Sequence, residues 1–98
     1  MPAYQVAIVT LTDRTPGLME YVRQVAPLMA AKGAKYVIRG PANSIQEGDA
    51  LQGRSVIVTE WPSLEIAEAF YNSAEYQALI VLREGSGIYD IGTFAAAS

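Results

Sequence analysis

The order of segments along these 98 residues predicts an α+β fold: strand, helix, strand, strand, helix, strand, in which a four-stranded antiparallel sheet carries its helices on one face. Three observations support this. Apolar, β-branched runs at residues 3–12, 34–39, 55–61 and 88–94 read as strands. Apolar residues at three- and four-residue spacing fill the intervals after the first and third runs, as helices require. Glycine and proline mark the boundaries between them.

The first strand, AYQVAIVTLT, has apolar side chains on both parities: Tyr4, Val6 and Ile8 on one, Ala7, Val9 and Leu11 on the other. A strand built this way expects cover on both faces. The first helix follows with Asp13 or Thr15 as its N-cap, Pro16 in the first turn, and Leu18, Tyr21, Val22, Val25, Leu28 and Met29 as its apolar stripe. Gly33 stops it. Pro27 removes the hydrogen bond to the Arg23 carbonyl, so a kink or a division into two segments is expected there.

The second strand should end at Gly40-Pro41, before a polar connection that could hold a short strand piece at residues 44–47. Pro62 closes the third strand, and Ser63 caps a helix with Leu64, Ala67, Phe70 and Tyr71 on its apolar face. Asn72-Ser73 interrupts it. Ser73 can then cap a further segment through Tyr76, Leu79, Ile80 and Leu82 to Arg83, which the glycines of EGSG end. The last four residues, AAAS, should fray.

Composition limits the chemistry. With 51% hydrophobic residues the chain is expected to fold as a single domain over 1–98, and at this length it would bury only about two-thirds of its unfolded surface. Helices on one face leave the other apolar sheet face open, and a second copy of the sheet is the simplest cover, so a homodimer is expected. Seven basic residues against ten acidic ones, scattered along the chain, give no stripe to follow a nucleic-acid backbone. Cysteine and histidine are both absent, which excludes disulfides and thiolate catalysis and removes the commonest general base and metal ligand. No metal and no cofactor is expected. No run approaches the roughly 20 apolar residues of a membrane span and the N-terminus lacks a basic leader, so no membrane partner and a cytoplasmic location are expected.

Candidate site residues come from strand parity and helix spacing. Arg39, Glu60 and Asp90 each share a parity with apolar neighbours, which would bring all three to the sheet face turned away from the helices. There Glu60 could move a proton and Arg39 could hold an anion, whereas an ion pair that satisfies only itself is the plainer reading. Trp61, Tyr71, Tyr76 and Tyr36 could line a pocket for a planar ligand, or could simply be core. Arg83 lies two helical turns past Tyr76, where it could anchor a carboxylate or complement the helix C-terminus. Gly85-Ser86-Gly87 follows a helix and precedes a strand, the reverse of a dinucleotide-binding turn, and is discounted as a phosphate site.

The runs EYVRQVAPLMAAKGAKYVIRG, QEGD and GRSVIVTEWPSLEIAEAFYNSAEYQALIVLR resemble the family catalogued as domain of unknown function 1330, within the dimeric α/β-barrel superfamily of ferredoxin-like domains. The stretch from Trp61 to Gln77 carries the resemblance most specifically. It implies a ferredoxin-like β-α-β-β-α-β unit paired into a dimeric α/β barrel. It also implies Tyr21, Arg39, Arg54, Glu60, Tyr71, Ser73, Tyr76 and Arg83 as matched positions, none with an established catalytic role. The Gly85–Gly87 turn and Asp90 depart from the family's pattern. Haem-degrading and chlorite-handling relatives rely on histidine, which this chain lacks.

Two functions fit. One is a cofactor-independent enzyme, an oxygenase, isomerase or lyase, acting on a hydrophobic or aromatic compound. In it Trp61, Tyr71, Tyr76 and Tyr21 would shape the pocket, Arg39 or Arg83 would hold an enolate or carboxylate, and Glu60 would move the proton. The other is a dimeric ligand-binding or stress-associated module without turnover.

Overall fold

The structure, a computed structural model, describes residues 1–97. Its elements run β1 (Ala3–Leu11), α1 (Pro16–Ala31), β2 (Lys35–Pro41), β3 (Ser55–Trp61), α2 (Leu64–Asn72), α3 (Ala74–Ile80), a 3₁₀ turn (Val81–Arg83) and β4 (Gly87–Ala95). The sheet is fully antiparallel in the order β2-β3-β1-β4, the ferredoxin-like arrangement, with all helices on one face. The smallest dimension is 17 Å, the thickness of two layers.

Local chemistry sets the helix boundaries. Thr15 Oγ1 accepts from the Leu18 amide at 3.1 Å, which selects it over Asp13 as the cap of α1. Ser63 does the same for Ile66 at 3.2 Å. Ser73 Oγ accepts from the Tyr76 amide and donates to the Phe70 carbonyl, so one hydroxyl ends α2 and begins α3. α1 runs unbroken through Pro27, against the expected split. Both Pro27 and Arg23 are solvent-exposed, and water can satisfy the carbonyl that the proline leaves without a donor.

Three other expectations change. β2 continues through Gly40 to Pro41, because a proline on an edge strand need not donate to a ladder. Residues 44–47 form no strand: the connection is exposed and finds no strand partner. Of the tail expected to fray, Ala95 belongs to β4 and the Ala96 amide donates to the Pro2 carbonyl, while Ser98 lies outside the described residues.

The core lies between the sheet and the helices. Trp61, Ala67, Phe70, Tyr76, Leu79, Val25 and Met29 are its buried members. The Trp61, Phe70 and Tyr76 rings step across it with successive centroids 5.1 Å apart. On the far face Tyr4, Val6, Ile8, Val56, Val58, Ile38, Ile88 and Phe94 lie in register with no layer over them, and Ile38, Ile88 and Phe94 are more than half exposed. Among the described residues, no helix is long and apolar enough to cross a membrane.

Candidate functional site: a cleft between helix α1 and the sheet

The sheet does not pack tightly against α1 along its whole length. At its centre Ala7 stands between Ile57 of β3 and Ile91 of β4, and the missing bulk leaves a cavity of about 100 Å³. Its floor is Gln5, Ala7, Val9, Ile57, Thr59, Tyr89 and Ile91, and its roof is Tyr21, Val22, Val25 and Met29 of α1. Tyr76 and Arg83 close the inner end, and Tyr36 and Arg39 of β2 stand at the rim. An outer cavity of about 370 Å³ shares Val9, Tyr21, Arg39 and Tyr89 with it and extends the cleft toward Arg14.

Arg39 reaches this cleft because of a single irregularity. Tyr36 pairs with Thr59 and Ile38 with Val58, so Val37 is an extra residue in β2. The register therefore turns Arg39, opposite Ile57, to the helix side. This corrects the expectation that Arg39 joins Glu60 and Asp90 on the far face. Strict alternation would have placed it there, and the bulge inverts it. The Arg39 guanidinium carbon lies 4.7 Å from the centre of the Tyr36 ring, so cation and ring form one wall.

Arg83 is the best-fixed of the cleft residues. α3 tightens into the 3₁₀ turn at Val81, and the backbone beyond is held on both sides. Ser86 Oγ donates to the Arg83 carbonyl and also meets the Tyr89 hydroxyl at 2.6 Å. The Ser86 carbonyl accepts from the Thr12 and Asp13 amides at 2.8 and 3.0 Å. Gly17 lets α1 approach so closely that a Cβ there would fall on the Leu82 carbonyl oxygen. The side chain held by this framework is only 8% exposed, and its Nε has no hydrogen-bond partner. Its guanidinium carbon sits 4.3 Å from the Tyr89 ring centre and 5.4 Å from that of Tyr21. Among the described residues the salt bridges are Arg23 with Glu20 and Lys35 with Glu60, and neither pair lines the cleft.

Tyr21 and Tyr76 share a hydroxyl–hydroxyl bond of 2.7 Å across the roof, with their rings edge to face. Burial, then the adjoining Tyr76 hydroxyl, pushes the Tyr21 phenol far above the ordinary tyrosine range, and Arg83 offsets this only in part. Tyr21 is thus a neutral hydroxyl at physiological pH. The two cavities together are lined by three arginines, four tyrosines, Gln5 and Thr59, and neither is lined by a carboxylate. It can bind and polarise an anion by charge and hydrogen bonding.

The remaining candidate residues lie elsewhere. Glu60 is on the far face, where Tyr4 Oη donates to it at 3.2 Å and Lys35 Nζ approaches to 3.5 Å. That bond and the carboxylate's charge raise the Tyr4 phenol. Asp90, opposite Ile8 in β4, is on the same far face. Trp61 is 1% exposed and packs behind the floor, its Nε1 donating to Thr59 Oγ1 at 2.9 Å. Tyr71 leans on Tyr76 and lines a separate depression with Glu68, Asn72 and Thr93. Ser73 is a cap, and Arg54 ties residues 50–54 to β1 through Thr10 Oγ1 and the Ala50 carbonyl. Tyr89, Gln5 and Thr59 were missed in the sequence. The only signal for Tyr89 was its parity with Ile91 in IYDIGTF, which the neighbouring charge of Asp90 obscured. Among the described residues, no group of three or more Asp or Glu side chains gathers closely enough to hold a metal ion.

A ferredoxin-like α+β unit with a cleft on its helix side is the class that this fold and site define. Residues 2–95 match the model of the domain of unknown function DUF1330, and the chain belongs to that family. No curated protein matches the sequence. Among solved structures, RPA0582 of Rhodopseudomonas palustris, a protein of unknown function, aligns at a TM-score of 0.74 with 15% identity, over 99% of this chain and 83% of that one. SnoaB of Streptomyces nogalater, a cofactor-independent oxygenase, aligns at 0.66 with 10% identity over 99% and 94%. Rv0793 of Mycobacterium tuberculosis aligns at 0.69 with 12% identity over 100% and 97%. At these identities the likeness is one of fold.

Proposed function

We propose that the chain is a homodimeric small-molecule enzyme that binds an aromatic compound in the α1–sheet cleft as its anion, with the Arg83 guanidinium facing the ionised oxygen. The observation that carries this is a cation 8% exposed, with an Nε that lacks an acceptor, in a cavity lined by rings. A guanidinium in such a place favours the ionised form of a bound phenol or enol, because opposite charge outweighs desolvation once a hydrogen bond forms. The enolate so held is the reactive form for isomerisation, for elimination and for cofactor-independent oxygenation, and the protein contributes electrostatic stabilisation. Likeness in fold to a cofactor-independent oxygenase agrees with this reading.

The homodimer rests on the far face of the sheet, where apolar side chains from all four strands share one plane, half-buried on β1 and β3 and exposed at Ile38, Ile88 and Phe94 of the outer strands. Val58→Lys places a charge at its centre and is expected to halve the mass measured by analytical ultracentrifugation. An unchanged mass would remove the dimer from the proposal.

A second reading, a binding module without turnover, is favoured by one feature: no carboxylate lines the cleft to move a proton. Titrating bound 2-naphthol by absorbance tests the first step common to both readings. The bound naphthol should ionise at lower pH than in water, and Arg83→Met should abolish that difference. An unshifted titration in the unmodified protein would overturn the anion reading. Glu60→Gln should leave it unchanged, since that carboxylate belongs to the far face. Dioxygen uptake and product analysis with saturating hydroxyarenes then separate enzyme from binder.

A further inference from the structure

The three arginines of the cleft are not redundant. Arg83 closes the inner cavity, whereas Arg39 stands where inner and outer cavities join, and Arg14 lines only the outer one. The inner space, about 100 Å³, is smaller than the roughly 150 Å³ that accommodates a benzene ring. A ligand whose oxygen meets Arg83 therefore extends its ring into the outer cavity, about 370 Å³, and its far end arrives at Arg39 and Arg14. Neither cavity is lined by an acidic side chain that would neutralise those cations.

We propose that the cleft selects planar compounds with an acidic group at each end: a phenol or enol oxygen for Arg83 and a carboxylate for Arg39 and Arg14. This rests on the reading that Arg83 binds the ionised oxygen, and adds a second anchor to it. The tyrosine rings enforce the planar body between the anchors. Tyr89 and Tyr21 flank Arg83, and Tyr36 backs Arg39. A bidentate guanidinium–carboxylate pair at the rim fixes direction as well as affinity, so the hydroxyl end enters first.

Isothermal titration with three naphthalenes tests this: 2-naphthol, 2-naphthoate and 6-hydroxy-2-naphthoate. The doubly acidic compound should bind at least tenfold more tightly than either of the others. Arg39→Met, at an exposed position that the fold tolerates, should cost the two carboxylates at least tenfold and leave 2-naphthol within twofold. Arg14→Met should act in the same direction, more weakly. If 2-naphthol equals 6-hydroxy-2-naphthoate and Arg39→Met changes neither, the second anchor is wrong while the Arg83 reading stands. If Arg83→Met also leaves every affinity unchanged, or no probe binds, both are wrong.

Discussion

Replacing Arg83 by methionine should make the free protein more stable and the liganded protein weaker. Burying an ion without a partner costs several kcal/mol. Here two ring contacts, at 4.3 and 5.4 Å, return about 0.5–2 kcal/mol each, and the adjoining cavity is large enough to admit water. Methionine keeps the apolar stem, fills similar space and removes the charge, which leaves a net gain of about 1–2 kcal/mol. In a domain of this size each kcal/mol moves Tm by about 4–8 °C, so a rise of roughly 5–15 °C is expected. The measurement is thermal unfolding followed by circular dichroism at matched protein concentration, since association also shifts Tm. The same variant should lose roughly 10- to 150-fold in affinity for an aromatic anion, the equivalent of one charge-assisted hydrogen bond of about 1.5–3 kcal/mol. A fall in Tm of 5 °C or more would refute the reasoning: Arg83 would then be a structural cation sustained by its rings. Opposite signs for stability and binding are the mark of a residue retained for function.

Three further outcomes follow from the same geometry. Gly17→Ala should destabilise by about 1–3 kcal/mol in urea unfolding, because the added Cβ meets the Leu82 carbonyl, although alanine for glycine inside a helix ordinarily gains about 1 kcal/mol; a stabilised variant would mean that α1 stands further from the 3₁₀ turn. Deleting Val37, the extra residue, should let Tyr36, Ile38 and Arg39 alternate without a bulge and keep Arg39 opposite Ile57 on the helix side, so affinity for 6-hydroxy-2-naphthoate should stay within about twofold, and a drop to that of Arg39→Met would refute the register. Above the ordinary tyrosine range, near pH 10, the unfolded chain releases the Tyr21 proton while the folded chain retains it; stability should therefore fall as pH rises, by up to about 1.4 kcal/mol per pH unit for this group, and Tyr21→Phe should flatten that limb in urea unfolding across alkaline pH.

What the sequence made legible was whatever short-range chemistry decides. Thr15, Ser63 and Ser73 cap helices because their hydroxyls reach amides three residues on, a geometry present in any chain with that spacing. Strand parity was legible only as far as the alternation held. In β1 and β3 it held; in β2 the extra Val37 reversed it, and nothing local to KYVIRG distinguishes a bulge from a regular strand. Glu60 and Asp90 stand out as charges on strands, yet both lie on the open sheet face, where Tyr4 and Lys35 satisfy Glu60.

The cleft itself depends on a distance that no single residue encodes, the separation of α1 from the sheet. Both ends of the helix are pinned at close quarters. Gly17 abuts the Leu82 carbonyl, and Gly33, at φ +85°, abuts the Pro62 ring, where a Cβ would lie 2.9 Å from Cγ. Between those two contacts the Tyr21–Tyr76 pair, bonded at 2.7 Å, bridges α1 to α3. Ala7 below contributes almost no side chain to fill the space. Helix ends pinned by glycine, an aromatic pair holding the middle and a small residue in the central strand together leave room over the sheet, and the 3₁₀ turn puts a cation into it. Each contact is between segments far apart in the chain, which is why Arg83 could be named from the sequence as a candidate while the cavity it serves could not.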